Sequence, residues 1–495
     1  MNNLTIAWLC LPFFMGLVIY LLPRWDRYFA IGTLLISLLF SLQILGLSPG
    51  FPVQLLDQFG VHLYLDSLAG YFILTNGLVM VAVVMESWQN RQNYFFLALL
   101  MFLHGGLNSC FIANDLISLY VALEVVSLVV FLLIAYPRAE KAIWLALRYL
   151  MISNTALLFY LMGAVLVYQA NHSFMFSGLS QAPPEAIVTI FLGLMTKGGL
   201  FISGLWSPLT NAESAANVSA LLSGIIEKAA IFPLVRFALL LPDLAWPLQL
   251  LGILAAIFGV GFALVQRDLK RLLAFSTISQ LGWLLVAPEV SGFYGLAHGL
   301  AKSGLFLTTG QLPHRNFDDY GTQPLNGILW LGLVIPSLSI CGLPLLAGFG
   351  AKSLALENLS GGPMILMTVA AVSTVIAYSK LLFIPHQPVF LGQTNLAITA
   401  ANSTAPDPVA GVSPGYLLAS VWLILGLVVA NGVDLSAYTF SGILKGLGTI
   451  AVGLVIYYLI GGKIRVENPQ AWEGLEHLIG MMSLILIGLF WLVSQ

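Results

Sequence analysis

Charged residues are scarce in this chain of 495 residues, since Asp, Glu, Lys and Arg make up only 8% of it. An average soluble domain carries about 25%. Apolar residues make up 59%, and the 19 basic and 21 acidic residues are too few to cover a soluble fold of this length. The composition therefore predicts an integral protein of a lipid bilayer. The formal net charge of −2 gives no support to a nucleic-acid-binding or polybasic peripheral protein.

Cysteine and cofactor motifs are equally sparse. Cys10, Cys110 and Cys341 lie far apart in apolar runs without a CxxC pair, which argues against an iron–sulfur cluster, structural zinc or a disulfide framework. The sequence has no dinucleotide fingerprint, and its one P-loop-like fragment, 348–353, lacks the glycine before Lys352. We therefore expect no cofactor, no metal site and no catalytic redox site in this chain.

Apolar runs recur along the whole chain, and most have the roughly 20 residues that a spanning helix needs. They lie near 4–22, 28–48, 68–85, 94–113, 116–136, 142–168, 187–205, 217–241, 244–265, 272–287, 291–311, 325–346, 364–385, 415–430, 447–461 and 478–493. They are continuously apolar rather than alternating, which favours helices over a membrane β-barrel. The last three are short or weak, so we predict an all-α polytopic membrane protein with 14 to 16 transmembrane helices. The first run lacks the flanks of a signal peptide and is predicted to be a retained helix.

Basic residues follow the odd-numbered runs, and the loops after runs two, four, six, eight and ten contain no Lys or Arg. These basic residues are Arg24, Arg27, Arg91, Arg138, Lys141, Arg267, Lys270, Arg271 and Arg315. Because such residues concentrate in cytoplasmic loops, we expect the N-terminus outside, in the cytoplasmic or thylakoid membrane of a bacterium. Lys463 and Arg465 fit this scheme only with sixteen helices, and Lys445 does not fit it.

Nine ionisable residues lie inside the apolar runs, where a charge at the bilayer centre costs about 2.5–3.5 kcal/mol on insertion scales. Six are predicted to form a proton path: Glu124, Lys197, Lys228, His298, Lys302 and Lys352. Three are secondary candidates: Glu227, Arg148 and Lys380. A lone buried carboxylate such as Glu124 must find a cation or take up a proton. A structural salt bridge without a transport role is the alternative for Glu124.

Two of the lysines lie beside segments rich in Gly and Pro. Lys197 precedes 198–208, and Lys352 follows 342–350. Such segments are typical of interrupted helices, which expose backbone groups at transporter sites. We therefore predict a helix break beside each lysine, near the middle of the bilayer.

The remaining candidates differ in what their side chains can do. His298 and Lys302 are spaced i, i+4 and share one face of a helix, which suits a proton relay. Lys228 directly follows Glu227, and adjacent side chains point in different directions on a helix, so the two are not automatically a pair. Arg148 does not lose its proton in practice, which favours a fixed counter-charge or a residue at a helix end.

The spacing of the lysines indicates an internal repeat of five helices. Lys197 and Lys228 are 31 residues apart, and Lys352 and Lys380 are 28 apart. An odd number of helices inverts the second unit in the membrane, as in secondary transporters. The predicted regions are 1–93 with three N-terminal helices, repeats at 94–241 and 244–385, and 386–495 with a polar loop at 386–415 and the C-terminal helices.

Two motifs resemble those of a known family. From Trp206 the chain reads WSPLTNAESAANVSALLSGIIEK, which is close to W-L-P-x-A-x-x-x-A-P-x-x-V-S-A-L-L-x-G-x-x-x-K. From Arg267 it reads RDLKRLLAFSTISQLG, which is close to D-x-K-R-x-L-A-Y-S-T-I-S-x-x-G. Over about residues 60–390 the chain resembles the antiporter-like membrane subunits of Mrp cation/proton antiporters and respiratory complex I. That resemblance also implies the inverted repeat.

The resemblance implies roles for individual residues. It matches Glu124 with the family's glutamate of helix five. It matches Lys197, Lys228 and Lys352 with the family's lysines of helices seven, eight and twelve. It places His298 and Lys302 among the polar relay residues of helix eleven. Glu124 would pair with Lys197 as protons enter and leave. The sequence departs from the family at 214–216, where Ala-Pro is missing, at the histidine expected after Trp206, and at Glu227, where an uncharged residue is commoner.

The resemblance also implies a multi-subunit assembly with other membrane subunits, handling protons, with Na⁺ as the second candidate ion. Lys352 favours the D-type subunit of an Mrp antiporter, because the complex I subunit of M type tends to have Glu there. The alternatives are a membrane-arm subunit of a complex I-like NAD(P)H-quinone or plastoquinone oxidoreductase and a self-sufficient secondary transporter. Any NADH dehydrogenase (quinone) activity would belong to the whole complex.

Overall fold

The computed structural model describes residues 2–47, 49–55, 60–88, 94–388, 412–460 and 474–493. Among these residues, thirteen helical segments are long and apolar enough to cross a membrane. A fourteenth results if Leu269–Val286 and Pro288–Thr309, bent by 108° against each other, form one span. All sixteen predicted runs coincide with helices, although the run near 325–346 contains only a shorter helix. The all-α polytopic class is therefore confirmed.

The N-terminal region contains three helices and a small hairpin. They are α1 (Asn2–Leu21), α2 (Asp26–Leu45), β1 (Phe51–Leu55), β2 (Val61–Leu65) and α3 (Ser67–Glu86). The two strands are antiparallel, with Phe51 opposite Leu65. The hairpin is not among the predicted elements, because five-residue strands in a loop leave no long apolar run.

The first predicted repeat contains an interrupted span. Its helices are α4 (Tyr94–Ile112), α5 (Leu116–Ala135), α6 (Glu140–Asn171), α7 (Pro184–Lys197), α8 (Trp206–Glu213), α9 (Ala216–Leu221) and α10 (Lys228–Leu240). Gly199 and Phe201 have φ angles of 69° and 55°, and the 3-10 turn Phe201–Leu205 then leads into α8. The predicted break after Lys197 is thus confirmed. A π-helical turn, Leu222–Ile226, separates α9 from α10 and is not among the predictions.

The second predicted repeat is interrupted at the corresponding span. Its helices are α11 (Pro242–Val265), α12 (Leu269–Val286), α13 (Ser291–Thr309), α14 (Gly327–Cys341), α15 (Ala347–Glu357) and α16 (Gly361–Leu382). Gly342 and Leu345 have φ angles of 90° and 79° between α14 and α15, which confirms the predicted break before Lys352. The inverted relation between the two units, and the depth of both breaks in a bilayer, stay predictions.

Three C-terminal helices correspond to the last three predicted runs. They are α17 (Pro414–Asn431), α18 (Phe440–Ile460) and α19 (Leu475–Val493). Helix α17 packs on α3 and α13, α18 packs on α16, and α19 packs on α7. Most of the predicted polar loop at 386–415 lies outside the described residues, as do Arg91, Lys463 and Arg465.

Ion pairs join the helix ends in two separate groups. Lys141, after α5, and Arg315, after α13, both contact Glu213, at 2.5 and 3.2 Å. Near the opposite end of the bundle, Arg236 makes two bonds of 3.0 Å to the carboxylate of Asp66, which also caps α3. The segments after spans five, seven and eleven therefore lie together, which agrees with the predicted orientation. The identity of that face as cytoplasmic stays a prediction.

Glycines allow the helices of each unit to approach closely. A Cβ on Gly193 of α7 would lie 2.6 Å from the Ala156 carbonyl of α6, and a Cβ on Gly259 of α11 would lie 2.3 Å from the Ser279 nitrogen of α12. Close contact through small residues is how helices associate in lipid, where apolar burial gives little driving force. These contacts hold in place the helices that carry the buried polar residues.

Candidate functional site

Lys197 lies at the end of α7, and its ammonium is bound by hydroxyl groups of α6. Its Nζ donates hydrogen bonds of 2.7 Å to the Tyr149 hydroxyl and to Ser153 Oγ. Ser153 Oγ in turn lies 2.9 Å from Ser127 Oγ of α5. The break after Lys197 fixes this position, since α7 stops there and its last side chain turns into the bundle. Hydroxyl groups thus lead from Lys197 to α5.

Glu124 lies on α5, one turn before Ser127, and is half-buried. Its carboxylate and the Lys197 ammonium are close enough for their charges to attract. The hydrogen bonds of Lys197 go to Tyr149 and Ser153, however, so the pairing implied by the resemblance is an electrostatic one in this structure. Ser153 and Ser127 extend the hydrogen bonds of Lys197 to α5, the helix that carries Glu124.

Lys228 is fully buried and binds the π-helical turn that precedes it. Its Nζ donates to the carbonyls of Ser223 and Gly224, at 2.8 and 2.7 Å. A π turn leaves carbonyls outside the regular helical pattern, and such turns are frequent at functional sites. Ser223 Oγ also shares a hydrogen bond of 2.6 Å with Thr277 Oγ1 on α12. The π turn therefore connects Lys228 to the second unit.

Hydrogen bonds continue from Thr277 to Lys302 and beyond. Thr277 Oγ1 donates to the Leu273 carbonyl at 3.0 Å, and Lys302 Nζ donates to the same carbonyl at 2.6 Å. Lys302 Nζ also binds Ser276 Oγ, which lies 2.9 Å from the Tyr378 hydroxyl of α16. One connected set of buried polar groups therefore runs from α10 through α12 and α13 to α16.

His298 and Lys352 line a small cavity between α12, α13 and α15. Its volume of about 10 Å³ leaves room for about one water molecule. Within the described part of the chain, neither ring nitrogen of His298 has a hydrogen-bond partner, and the same holds for Lys352 Nζ and Gln280 Nε2. Gln280 is oriented by Tyr294, whose hydroxyl donates to Gln280 Oε1 at 2.6 Å. Since buried polar groups need partners, the cavity is suited to a bridging water.

Glu227 is buried beside the first break. Its Oε1 accepts hydrogen bonds from Ser207 Oγ at 2.5 Å and from Asn211 Nδ2 at 2.9 Å. Both donors belong to α8, the helix that follows the break. The carboxylate therefore points away from the carbonyls that bind Lys228, as expected for adjacent residues on a helix.

The other two secondary candidates lie on α6 and α16. Arg148 is buried on α6, with its guanidinium 5.8 Å from the centre of the Trp144 ring. Lys380 Nζ donates to the carbonyls of Leu264 and Gln266, the latter at 2.9 Å. Basic side chains commonly bind the last carbonyls of a helix, and these carbonyls end α11. Lys380 therefore has an ordinary structural contact at the end of a helix.

Several polar residues of the site were not among the predicted site residues. They are Tyr149, Ser153, Ser207, Asn211, Ser223, Ser276, Thr277, Gln280 and Tyr378. Six of them belong to the two motifs, with Ser207, Asn211 and Ser223 in the first and Ser276, Thr277 and Gln280 in the second, so the motifs themselves contained a signal. The other three are single hydroxyl groups in apolar helices, and their importance depends on which lysine they contact, which only the tertiary structure gives.

The chain is similar to membrane subunits of known complexes. Residues 113–377 match the family model described as NADH:quinone oxidoreductase/Mrp antiporter, TM. The N subunit of the NADH-quinone oxidoreductase of Desulforudis audaxviator is 31% identical over 353 residues, which is 64% of this chain and 70% of that protein. The D-type subunit of the Na⁺/H⁺ antiporter of Alkalihalophilus pseudofirmus is 27% identical over 395 residues, or 71% of this chain and 80% of that protein.

A solved structure has a similar fold. The Mrp complex from a Dietzia species contains a chain that superposes with a TM-score of 0.77 at 21% identity. The match covers 98% of this chain and 59% of that one. At this identity the match speaks for the fold alone.

Proposed function

Because this chain belongs to the NADH:quinone oxidoreductase/Mrp antiporter transmembrane family, we propose that it translocates protons as an antiporter-like subunit of a larger membrane complex. Membership confirms the resemblance seen in the two motifs. The observation that carries the proposal is the connected set of buried lysines and hydroxyl groups that runs from Lys228 through Thr277 and Lys302 to Tyr378. A core that serves only structure does not require so many buried cations. In membrane proteins such residues mark ion pathways.

The buried amines would act as proton carriers. Lys228 and Lys302 can each give up and regain a proton, and a hydroxyl such as that of Thr277 both donates and accepts hydrogen bonds. Backbone carbonyls only accept hydrogen bonds, so a proton leaving one amine would reach the next through the hydroxyl groups of Ser223, Thr277 and Ser276 together with water. The carbonyls of Ser223 and Gly224 would hold the charged form of Lys228. Arg148 stays charged throughout and is better suited to a fixed counter-charge.

Residues beyond both ends of this connected set would extend the proton path across both predicted repeats. Toward the first unit, Lys197 would exchange protons with Glu124 through Ser153 and Ser127. Toward the other end, a water in the cavity would connect His298 with Lys352, whose buried nitrogens face it. The two helix breaks support this role, because interrupted helices supply free backbone groups and room for water.

The specific assembly we propose is an Mrp-type Na⁺/H⁺ antiporter, with this chain as the D-type subunit, in the cytoplasmic membrane of a bacterium and with the N-terminus outside. Support comes from the likeness to the A. pseudofirmus protein and from Lys352, a lysine where the M-type complex I subunit tends to have Glu. The second candidate is a proton-pumping membrane-arm subunit of a complex I-like oxidoreductase. It is favoured by the 31% identity to the D. audaxviator protein.

Substitution of Lys228 tests proton translocation. The complex is assayed in everted membrane vesicles, energised by respiration, by the fluorescence of a dye that reports the pH gradient as Na⁺ is added. We expect Lys228→Ala to abolish the response and Lys228→Arg not to restore it, because arginine keeps its proton. Lys445→Ala is the matched control, since Lys445 lies on the exposed face of α18. A wild-type response from assembled Lys228→Arg would refute the relay.

The other members of the complex decide between the two assemblies. We expect affinity purification of the tagged chain from native membranes, followed by mass spectrometry, to recover other small membrane subunits of an antiporter. Recovery of subunits with quinone-binding and redox centres would instead favour the complex I-like assembly. Recovery of the chain alone, together with Na⁺/H⁺ exchange after reconstitution, would contradict a multi-subunit complex.

A further inference from the structure

Glu227 is a buried carboxylate beside the break that ends α7. Its side chain is 1% exposed, and its Oε1 accepts two hydrogen bonds from α8. Within the described residues, its Oε2 has no hydrogen-bond partner although it is buried. A buried carboxylate with one unpartnered oxygen lowers the stability of the folded protein. Its presence here therefore points to a function.

Two polar side chains of α8 meet at this carboxylate. Ser207 Oγ donates to Glu227. Asn211 donates both to Ser207 Oγ and to Glu227 Oε1, each at 2.9 Å. An acid and a hydroxyl, 20 residues apart in sequence, thus form one hydrogen-bonded group. A carboxylate placed by chance would not have two donors directed at the same oxygen.

The Glu227 group lies between the Lys197 and Lys228 groups. A Cβ on Gly199, two residues after Lys197, would lie 3.3 Å from Ser207 Cβ and 3.8 Å from the Glu227 carboxyl carbon. The start of α8 is also fixed to the turn before the break, because Trp206 Nε1 donates to the Thr196 carbonyl at 2.7 Å. The carboxylate therefore faces the break that ends α7.

The charged and titratable groups around Glu227 come from three helices. Lys228 lies next to it on α10, Lys302 acts on it from α13, and the hydroxyl of Tyr149, which binds Lys197, lies within electrostatic range on α6. Two ammonium groups therefore lie within electrostatic range of the carboxylate. In addition, Ser207 and Asn211 direct hydrogens rather than lone pairs at Oε1, which suits a carboxylate that exchanges a proton better than one that binds a metal cation.

We propose that Glu227 is a proton-carrying residue that joins the Lys197 group to the Lys228 group, and that Ser207 and Asn211 position its carboxylate. The assignment deepens the proposed function and rests on it. In the other direction of the chain, hydrogen bonds already connect Lys228 with Lys302. Glu227 supplies the connection from Lys228 back to the break, so that one path can cover both units.

The first test replaces the carboxylate in the assembled complex. We expect Glu227→Gln to lower proton exchange in everted vesicles at least tenfold and Glu227→Asp to retain part of it. The matched control is Glu86→Gln, which alters a partly buried carboxylate at the end of α3, outside the path. Wild-type exchange in Glu227→Gln, with exchange lost in Lys228→Ala, would overturn the role of Glu227 and leave the proposed function standing. Wild-type exchange in both variants would overturn both.

The second test separates proton carrying from structural support and from cation binding. We expect infrared difference spectra of the purified complex to contain a carboxyl band that Glu227→Gln removes. We expect Ser207→Ala to keep exchange but shift its pH profile to higher pH, because the ionised carboxylate loses a donor. An unshifted profile in Ser207→Ala would overturn its positioning role. A carboxyl band unaffected by Glu227→Gln, with ²²Na⁺ binding lost in that variant, would make the residue a cation ligand and overturn the proposal.

Discussion

Substitutions of Thr277 separate a loss of protein stability from a loss of proton transfer most clearly. Its hydroxyl is the link between the π turn that binds Lys228 and the carbonyl that binds Lys302, through Ser223 at 2.6 Å and Leu273 at 3.0 Å. Valine has nearly the same shape as threonine but no hydroxyl, and serine keeps the hydroxyl but loses a methyl group. The pair Thr277→Val and Thr277→Ser therefore removes either the polar group or the apolar group from one fully buried site.

Both variants should cost stability, the valine more than the serine. Thr277→Val loses two hydrogen bonds worth about 0.5–1.5 kcal/mol each, about 1–3 kcal/mol together, and also leaves the buried hydroxyl of Ser223 without this partner. Thr277→Ser loses one buried methyl group, worth about 0.8 kcal/mol. Both losses are small enough for the protein to fold. A change in transport that only the valine causes must then come from the hydroxyl itself.

We expect Thr277→Val to slow proton exchange in everted vesicles about tenfold or more, which corresponds to about 1.4 kcal/mol on the transfer barrier. Thr277→Ser should remain within about twofold of wild type, since its hydroxyl can make the same two bonds. Rates are normalised to the amount of assembled complex, measured by native gel and immunoblot. Equal rates in Thr277→Val and wild type would refute proton passage between Lys228 and Lys302 through this residue.

Two further predictions concern the first unit and the packing of the second. Glu124→Gln should abolish exchange in vesicles while the complex assembles, because the amide keeps the shape of the side chain but cannot carry a proton; full activity would exclude a central role. Gly259→Ala should destabilise the purified protein by about 1–3 kcal/mol, since its Cβ would lie 2.3 Å from the Ser279 nitrogen. Gly261→Ala on the same helix, with nothing within 4 Å of its Cβ, should leave the thermal midpoint unchanged or raise it; equal losses in both variants would contradict the packing argument.

The helical framework and both breaks could be predicted because their causes are local. Long apolar runs give the helices, and the glycines near Lys197 and before Lys352 permit the positive φ angles seen at Gly199 and Gly342. The π turn before Lys228 could not be predicted in the same way. Its sequence is ordinary for a buried helix apart from Gly224, and the hydrogen bonds from Lys228 to its carbonyls do not follow from an apolar pattern.

The hydrogen-bond partners of the lysines could not be predicted from the sequence for a related reason. The family resemblance made Glu124 the expected partner of Lys197, but the ammonium donates its hydrogen bonds to Tyr149 and Ser153, because α6 packs directly on α7. Lys380 looked like part of the path from its spacing alone, whereas it lies where α11 ends and binds its last carbonyls. Spacing along a helix predicts which face of that helix a residue occupies. Only the packing of the helices shows which side chain on another helix it contacts.

Proton exchange by Lys302→Met tests the central claim most directly. Lys302 is fully buried at the point where the hydrogen bonds from Thr277 and from Tyr378 meet, and methionine has a similar length without a charge. In everted vesicles with assembled complex, a continuous path predicts that Lys302→Met gives no dye response to Na⁺, or to NADH if the assembly is complex I-like. A wild-type response from this variant would show that protons do not pass through the buried lysines.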